Sequence, residues 1–130
     1  MKYSKLTFVG LALFLAVILP VITPGQAKQK QSGGLVVVET KYVCMINNQR
    51  FAKEQIPVVV SGKTYFGCCE MCKAALKNKP ATRVAVDPVS GKQVDKAKAV
   101  IGADSTDKVF YFESMENLKK FNASNAGNRH

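Results

Sequence analysis

Hydrophobic and polar positions along this chain fall into short alternating runs after one long apolar stretch near the start. Residues 6–22 are almost wholly apolar and uncharged, preceded by Lys2 and Lys5 and interrupted by Pro20. A polar segment follows at residues 28–34, rich in Gln, Lys, Ser and Gly. Residues 35–40 (LVVVET) are β-branched and predict a strand. Residues 42–45 (YVCM) extend the apolar run to a turn at Asn47, Asn48, Gln49 and Arg50. Residues 57–60 (PVVV) and 64–66 (TYF) flank Ser61-Gly62-Lys63, which predicts a β-hairpin with a glycine-containing loop. A short helix is expected over residues 69–77, stopped by Asn78-Lys79-Pro80.

The second half repeats the plan. Residues 86–92 (VDPVSGK) are rich in turn formers. Residues 98–102 and 109–112 predict two strands joined by a turn at residues 103–108. Residues 114–121 predict a helix with Ser114 as N-cap and Leu118 and Phe121 on its apolar face. In register, Tyr65-Phe66-Gly67-Cys68-Cys69 lies over Phe110-Tyr111-Phe112-Glu113-Ser114. Glu113 then stands where Cys68 stands, and Asn117 where Cys72 stands. Ser90 falls near the place of Cys44, since the Cys44–Cys68 separation is 24 and the Ser90–Glu113 separation is 23. This is a degenerate internal repeat in which only the first copy carries thiols. The fold expected is α+β, two related units of a hairpin followed by a short helix. Their bounds are residues 35–80 and 81–122, with a polar tail at 123–130.

The apolar N-terminal run changes the address. A basic start, an apolar core broken by Pro20 and Pro24, and small residues up to Ala27 make residues 1–27 a signal peptide. The run is short for a membrane span, which needs roughly 20 residues. Export to the bacterial periplasm or envelope is expected, with an uncleaved N-terminal anchor as the alternative. No stable membrane insertion is expected once the segment is removed. The 130-residue chain carries a formal +10, and losing Lys2 and Lys5 but no acid leaves +8. The lysines are dispersed and no arginine cluster forms. The charge therefore reads as solvated surface, not as a nucleic-acid or membrane footprint.

Candidate chemistry is confined to four cysteines: Cys44, Cys68, Cys69 and Cys72. Residues four and three apart share a helix face, so Cys68, Cys69 and Cys72 converge. Thiolates are soft donors that select zinc or copper(I). A helix N-terminus favours the deprotonated ligand. Cys44, Cys68 and Cys72 are the candidate ligands, with Cys69 a further candidate. Three thiolates suit trigonal copper(I), whereas tetrahedral zinc takes a fourth ligand. Met45 and Met71 could offer thioether sulfur, though core or surface packing is the simpler reading. The one histidine, His130, lies beyond the polar tail. Tyr65, Phe66, Phe110, Tyr111 and Phe112 are core candidates, alternate ones free to face a partner.

Two other readings compete. An exported chain with four cysteines allows three disulfide pairings. Joining Cys44 to Cys68 or Cys72 closes a loop of about 25 residues, for roughly 3 kcal/mol, and makes a stapled interaction module without metal. Cys69-Glu70-Met71-Cys72 at a helix start also fits a thiol-disulfide oxidoreductase, but no long βαβ pattern surrounds it. With a single terminal histidine and no glycine-rich phosphate loop, other catalysis has no support, and no enzyme is expected.

These residues resemble the TRASH and YHS group of small metal-associated domains. The resemblance rests on Cys44, the Gly-Lys-Thr-Tyr-Phe return strand and Cys68-x-x-x-Cys72. The segments Asp87-Pro88-Val89-Ser90-Gly91 and Phe110-Tyr111-Phe112-Glu113-Ser114 look like a YHS copy with its cysteines replaced. It covers roughly residues 42–121. It implies a treble-clef-like site whose three-cysteine pattern maps onto Cys44, Cys68 and Cys72. It also implies a role in heavy-metal sensing, trafficking or resistance, with a metal transporter or other envelope protein as partner. The Cys44–Cys68 gap is slightly longer than usual for TRASH domains, and Cys69 is an extra thiol.

Overall fold

The computed structural model describes residues 33–127. The signal-peptide reading and His130 lie outside the described residues. Nine short strands and two helices make an α+β fold of small antiparallel sheets. In chain order the strands are β1 (Val36–Val37), β2 (Val43–Cys44), β3 (Gln49–Arg50), β4 (Ile56–Val60) and β5 (Lys63–Gly67). Helix α1 (Glu70–Asn78) follows, then β6 (Val84–Val86), β7 (Gln93–Asp95), β8 (Val100–Ala103), β9 (Val109–Phe112) and helix α2 (Met115–Gly127). Among the described residues no helix is long and apolar enough to cross a membrane.

Each unit has the same plan: a knuckle, a hairpin, then a helix. In the first, β2 and β3 pair around a four-residue turn with Asn48 in the left-handed region (φ 51°). The β4–β5 hairpin closes through Ser61 and Gly62, at φ 50° and 74°. Two consecutive positive φ values suit the twist of a two-residue hairpin loop, and glycine takes the second without steric cost. Lys63, expected in the loop, pairs with Val60 instead. Val58 and Tyr65, directly opposite each other, both point into the core.

Helix α1 begins after Cys69, whose extended backbone (φ −155°, ψ 173°) makes it the N-cap. Glu70 sits in the first turn, where the helix dipole favours an acid, and pairs with Lys73 at 3.0 Å. The other end is capped from the following turn. Arg83 Nη1 donates to the Leu76 carbonyl at 2.6 Å, and Thr82 Oγ1 donates to the carbonyls of Lys79 (2.7 Å) and Ala75 (3.2 Å). Pro80 cannot continue the helix, and a 3-10 turn replaces it over Pro80–Arg83.

The second unit pairs β6 with β7 and β8 with β9. Ser114 caps α2, its Oγ accepting from the Asn117 N–H at 3.2 Å. Helix α2 runs to Gly127, six residues beyond the stretch the sequence pattern marks out. Leu118 is buried and Phe121 packs on Phe110 and Phe112, each at 5.6 Å between ring centres.

Two features tie the units together. The apolar run that opens the first unit forms only a two-residue strand, β1, and it pairs with β8 of the second unit (Val36 with Ala103, Val37 with Gly102). Leu35 packs with Phe112 and Leu118, and its backbone N–H and C=O are both held by the Asn122 side chain (2.7 and 3.0 Å). The main core is common to both units: Val43, Met45, Val58, Tyr65 and Leu76 meet Val94, Ile101, Ala103, Val109 and Tyr111. A core shared this way roughly doubles what either unit of some 40 residues could bury alone, the size at which single domains become marginal.

Candidate metal centre

Three local elements aim the cysteines at one point. Cys44 ends β2 and is fully buried. Its knuckle is fastened to the hairpin by the Met45 N–H, which donates to the Phe66 carbonyl at 2.9 Å. Cys68 follows β5, and Cys72 is the third residue of α1. Gly67 makes the close approach possible. A Cβ there would stand 2.9 Å from Cys72 Cβ and 3.3 Å from the Cys72 carbonyl carbon. Any larger residue would push α1, and with it Cys72, away from the strand end.

The sulfurs of Cys44, Cys68 and Cys72 all lie within 4.8 Å of one another. Cys72 Sγ is 3.8 Å from Cys44 Sγ and 3.6 Å from Cys68 Sγ. Ligands of a tetrahedral ion at about 2.3 Å stand about 3.8 Å apart, so the spacing fits a thiolate-bound ion without rearrangement. All four cysteines are free. Cys69 Sγ lies 3.5 Å from Cys72 Sγ but outside the three-sulfur group, and it is exposed.

The electrostatics divide the thiols. Burial pushes the Cys44 thiol up, but the N–H groups of Asn47, Ile46 and Cys68 facing its sulfur outweigh this and leave it below the ordinary thiol value. Burial pushes Cys72 up to about 12, helped by the neighbouring sulfurs. Cys68 is raised, first by its contact with Cys44 and then by burial. Cys69 is lowered by the N–H of Cys72 and by the Cys72 thiol, although its sulfur closes no cap hydrogen bond. Backbone dipoles thus favour the thiolate form at Cys44 and Cys69, whereas Cys68 and Cys72 are shifted toward the protonated form.

The other candidates fall elsewhere. Met45 is fully buried in the core, and Met71 is 82% exposed on the first turn of α1. Tyr65, Tyr111 and Phe112 are buried, while Phe66 and Phe110 are half-buried against the core. Glu113 reaches Lys92 at 3.4 Å.

The partner of Cys44 in the second unit is Asp87, not Ser90. Asp87 follows β6 as Cys44 ends β2, and both knuckles turn through a left-handed residue four positions on, Asn48 and Gly91 (φ 70°). The fully buried Asp87 carboxylate accepts from the N–H groups of Val89 (2.7 Å), Ser90 (3.2 Å) and Glu113 (2.7 Å). Asn117 Nδ2 donates to it as well, at 2.8 Å. The three N–H groups match, position for position, those of Ile46, Asn47 and Cys68 around Cys44, and the Cys72 sulfur, 3.8 Å from Cys44 Sγ, stands in the place of the Asn117 amide. The register from sequence slipped by three residues because the second unit carries a longer connection between knuckle and helix: Asp87 and Glu113 are 26 apart. Ser90 instead supplies one of the N–H donors. Burial raises the Asp87 carboxyl, yet the Asn117, Glu113, Val89 and Ser90 donors prevail and hold it below the usual carboxylate range.

No known protein family, curated protein or solved structure matches the chain. The class is therefore defined by the fold and the site alone: a small α+β protein with three free cysteines gathered at metal-binding distance.

Proposed function

We propose that this chain is an exported protein of TRASH and YHS type. In this reading it holds a thiophilic ion, zinc or copper(I), through Cys44, Cys68 and Cys72, and acts in metal sequestration, delivery or sensing in the bacterial envelope. The observation that carries the reading is the convergence of three unpaired sulfurs within 4.8 Å, drawn from a knuckle, a strand end and a helix N-terminus. The ion would supply the cross-link between these three elements. The chain supplies a preformed donor set: Gly67 lets the helix approach, Met45 pins the knuckle, and backbone N–H groups keep the Cys44 sulfur in place. Loading releases the protons held by Cys68 and Cys72, so affinity falls as the medium becomes acid. Cys69, exposed and beside Cys72, is placed to complete a tetrahedral zinc site after a local shift, or to stay outside a trigonal copper(I) site.

Chelator competition with zinc(II) and copper(I), on the wild type and on each Cys→Ser variant, tests this. The expected result is one ion per chain, with affinity reduced by about 100-fold or more in the Cys44, Cys68 and Cys72 variants and much less in Cys69→Ser. Equal affinity in all four variants would remove the three-cysteine assignment.

A further inference from the structure

Lys96 follows β7 in the second unit, yet its side chain runs into the first. It is 6% exposed. Its Nζ donates to the Met45 carbonyl at 2.6 Å and to Asn48 Oδ1 at 2.9 Å, the residues that follow Cys44 and close its turn. The same Nζ lies 5.0 Å from the centre of the Tyr111 ring. Among the described residues it forms no ion pair with a carboxylate. Its neighbour Asp95 faces the other way, toward Lys63 and Tyr65. A buried ammonium without a counter-charge is costly: burial lowers the Lys96 pKa, and the Cys44 sulfur is the group that acts to raise it. The Tyr111 hydroxyl, also buried, has no hydrogen-bond partner among the described residues. The Lys96 ammonium on the inner side of the knuckle thus meets two neutral oxygens and, among the described residues, no carboxylate.

We propose that Lys96 is the positioning residue and counter-charge of the metal–thiolate centre, supplied by the second unit to the first. This rests on the metal reading of the three cysteines. Three thiolates leave one negative charge around zinc(II) and two around copper(I), and a fixed cation behind Cys44 compensates that excess. It also gives the thiol-free second unit a part in the site: it carries the cation as well as half of the core. The hydrogen bonds to Met45 and Asn48 hold the knuckle that presents Cys44.

The test is chelator competition with zinc(II) and with copper(I), on the whole chain, for wild type, Lys96→Gln and Lys96→Arg. Lys96→Gln keeps a donor for the Met45 carbonyl and removes the charge. The expected result is weaker binding of both ions, with the copper(I) constant falling about tenfold further than the zinc(II) constant. Tenfold is the lower bound, since one unit charge exerts that much across about 12 Å at an effective dielectric of about 20 and more at shorter range. Lys96→Arg should restore most of it. The ratio of the two constants is the decisive readout, because any destabilisation of the metal-free fold weakens both ions alike and cancels. An unchanged ratio in Lys96→Gln overturns the proposal while leaving the metal site standing. Wild type that binds neither ion overturns the metal reading itself, and the counter-charge with it.

Discussion

Cys44 and Asp87 occupy the same place in two copies of one structural plan, and they solve the same problem in opposite ways. Each sits at the end of a strand, under a knuckle, facing a helix N-terminus. Asp87 carries a charge that the protein satisfies completely, with three backbone N–H groups and the Asn117 amide. Around Cys44 the matching backbone donors remain, but the Cys72 thiol stands in place of the amide and one more sulfur, that of Cys68, closes in. The second cradle is finished within the chain. The first gathers three free sulfurs, two of them with raised pKa, at metal-binding distance. The lesson is that this scaffold turns backbone donors onto one acceptor at each knuckle, and that the surrounding side chains decide whether that acceptor is fully satisfied.

The largest effect should come from destroying the finished cradle. Asp87→Ala strands the Glu113 N–H and the Asn117 amide in a buried place, and hydrogen bonds to a charged group are worth about 1.5–3 kcal/mol each. A loss of roughly 3 kcal/mol or more is expected in chemical denaturation of the metal-free protein, enough to threaten a small domain. A loss below about 1 kcal/mol would mean that the Asp87 cradle is ornamental. Cys72→Ser should do the reverse. The metal-free form should lose no more than about 1–2 kcal/mol, the usual range for a single substitution, while the stabilisation that zinc or copper(I) adds to melting disappears. If added metal raises the melting temperature of that variant as much as of wild type, the two cradles are not functionally distinct.

Acid separates the cradles further. The Asp87 carboxyl is held below its unfolded value, so its contribution is fully present above about pH 4, the ordinary aspartate value. It is then lost as the pH falls through the lower folded value. The thiol centre fails at higher pH, because its ligands must shed protons to bind an ion. Metal loading followed against pH should therefore collapse before secondary structure does. Simultaneous loss of both would show that the ion carries the fold. Gly67→Ala is expected to have a smaller effect. A methyl group 2.9 Å from Cys72 Cβ forces a local shift, costing about 1–3 kcal/mol as overpacking does and weakening metal binding several-fold. Asn117→Ala, removing one donor of four from Asp87, should cost about 1.5–3 kcal/mol at most and leave metal affinity unchanged.

Much of the local structure was legible because it follows from short-range chemistry. Ser61-Gly62 marks the first hairpin, Ser114 caps α2, and Cys68 and Cys72 bring their sulfurs together, although across the strand–helix junction and not along one helix face, since α1 starts only at Glu70. What the chain does over long range was not. β-branched residues 35–40 announce a strand, but not that its partner is β8, more than sixty residues away. An Asp-Pro-Val-Ser-Gly segment looks like any exposed turn. Only the donors converging from Glu113 and Asn117 reveal Asp87 as a buried acceptor, and a two-residue difference between the units hid its match to Cys44. Lys96 sits among dispersed lysines that otherwise read as solvated surface, and nothing local distinguishes a lysine that turns inward. Gly67 could have been suspected, since a glycine directly before two cysteines at a strand–helix junction often marks close backbone approach.

The central claim is that the three-sulfur cluster holds an ion while the acid cradle stands alone. The most direct measurement is native mass spectrometry with a parallel count of reactive thiols, on protein purified from the exported compartment without added metal. The account predicts one zinc or copper ion per chain, thiols that react only after chelation or unfolding, and loss of the ion in Cys72→Ser. A chain without metal, its cysteines joined in disulfides, would contradict it and make the cluster a structural staple.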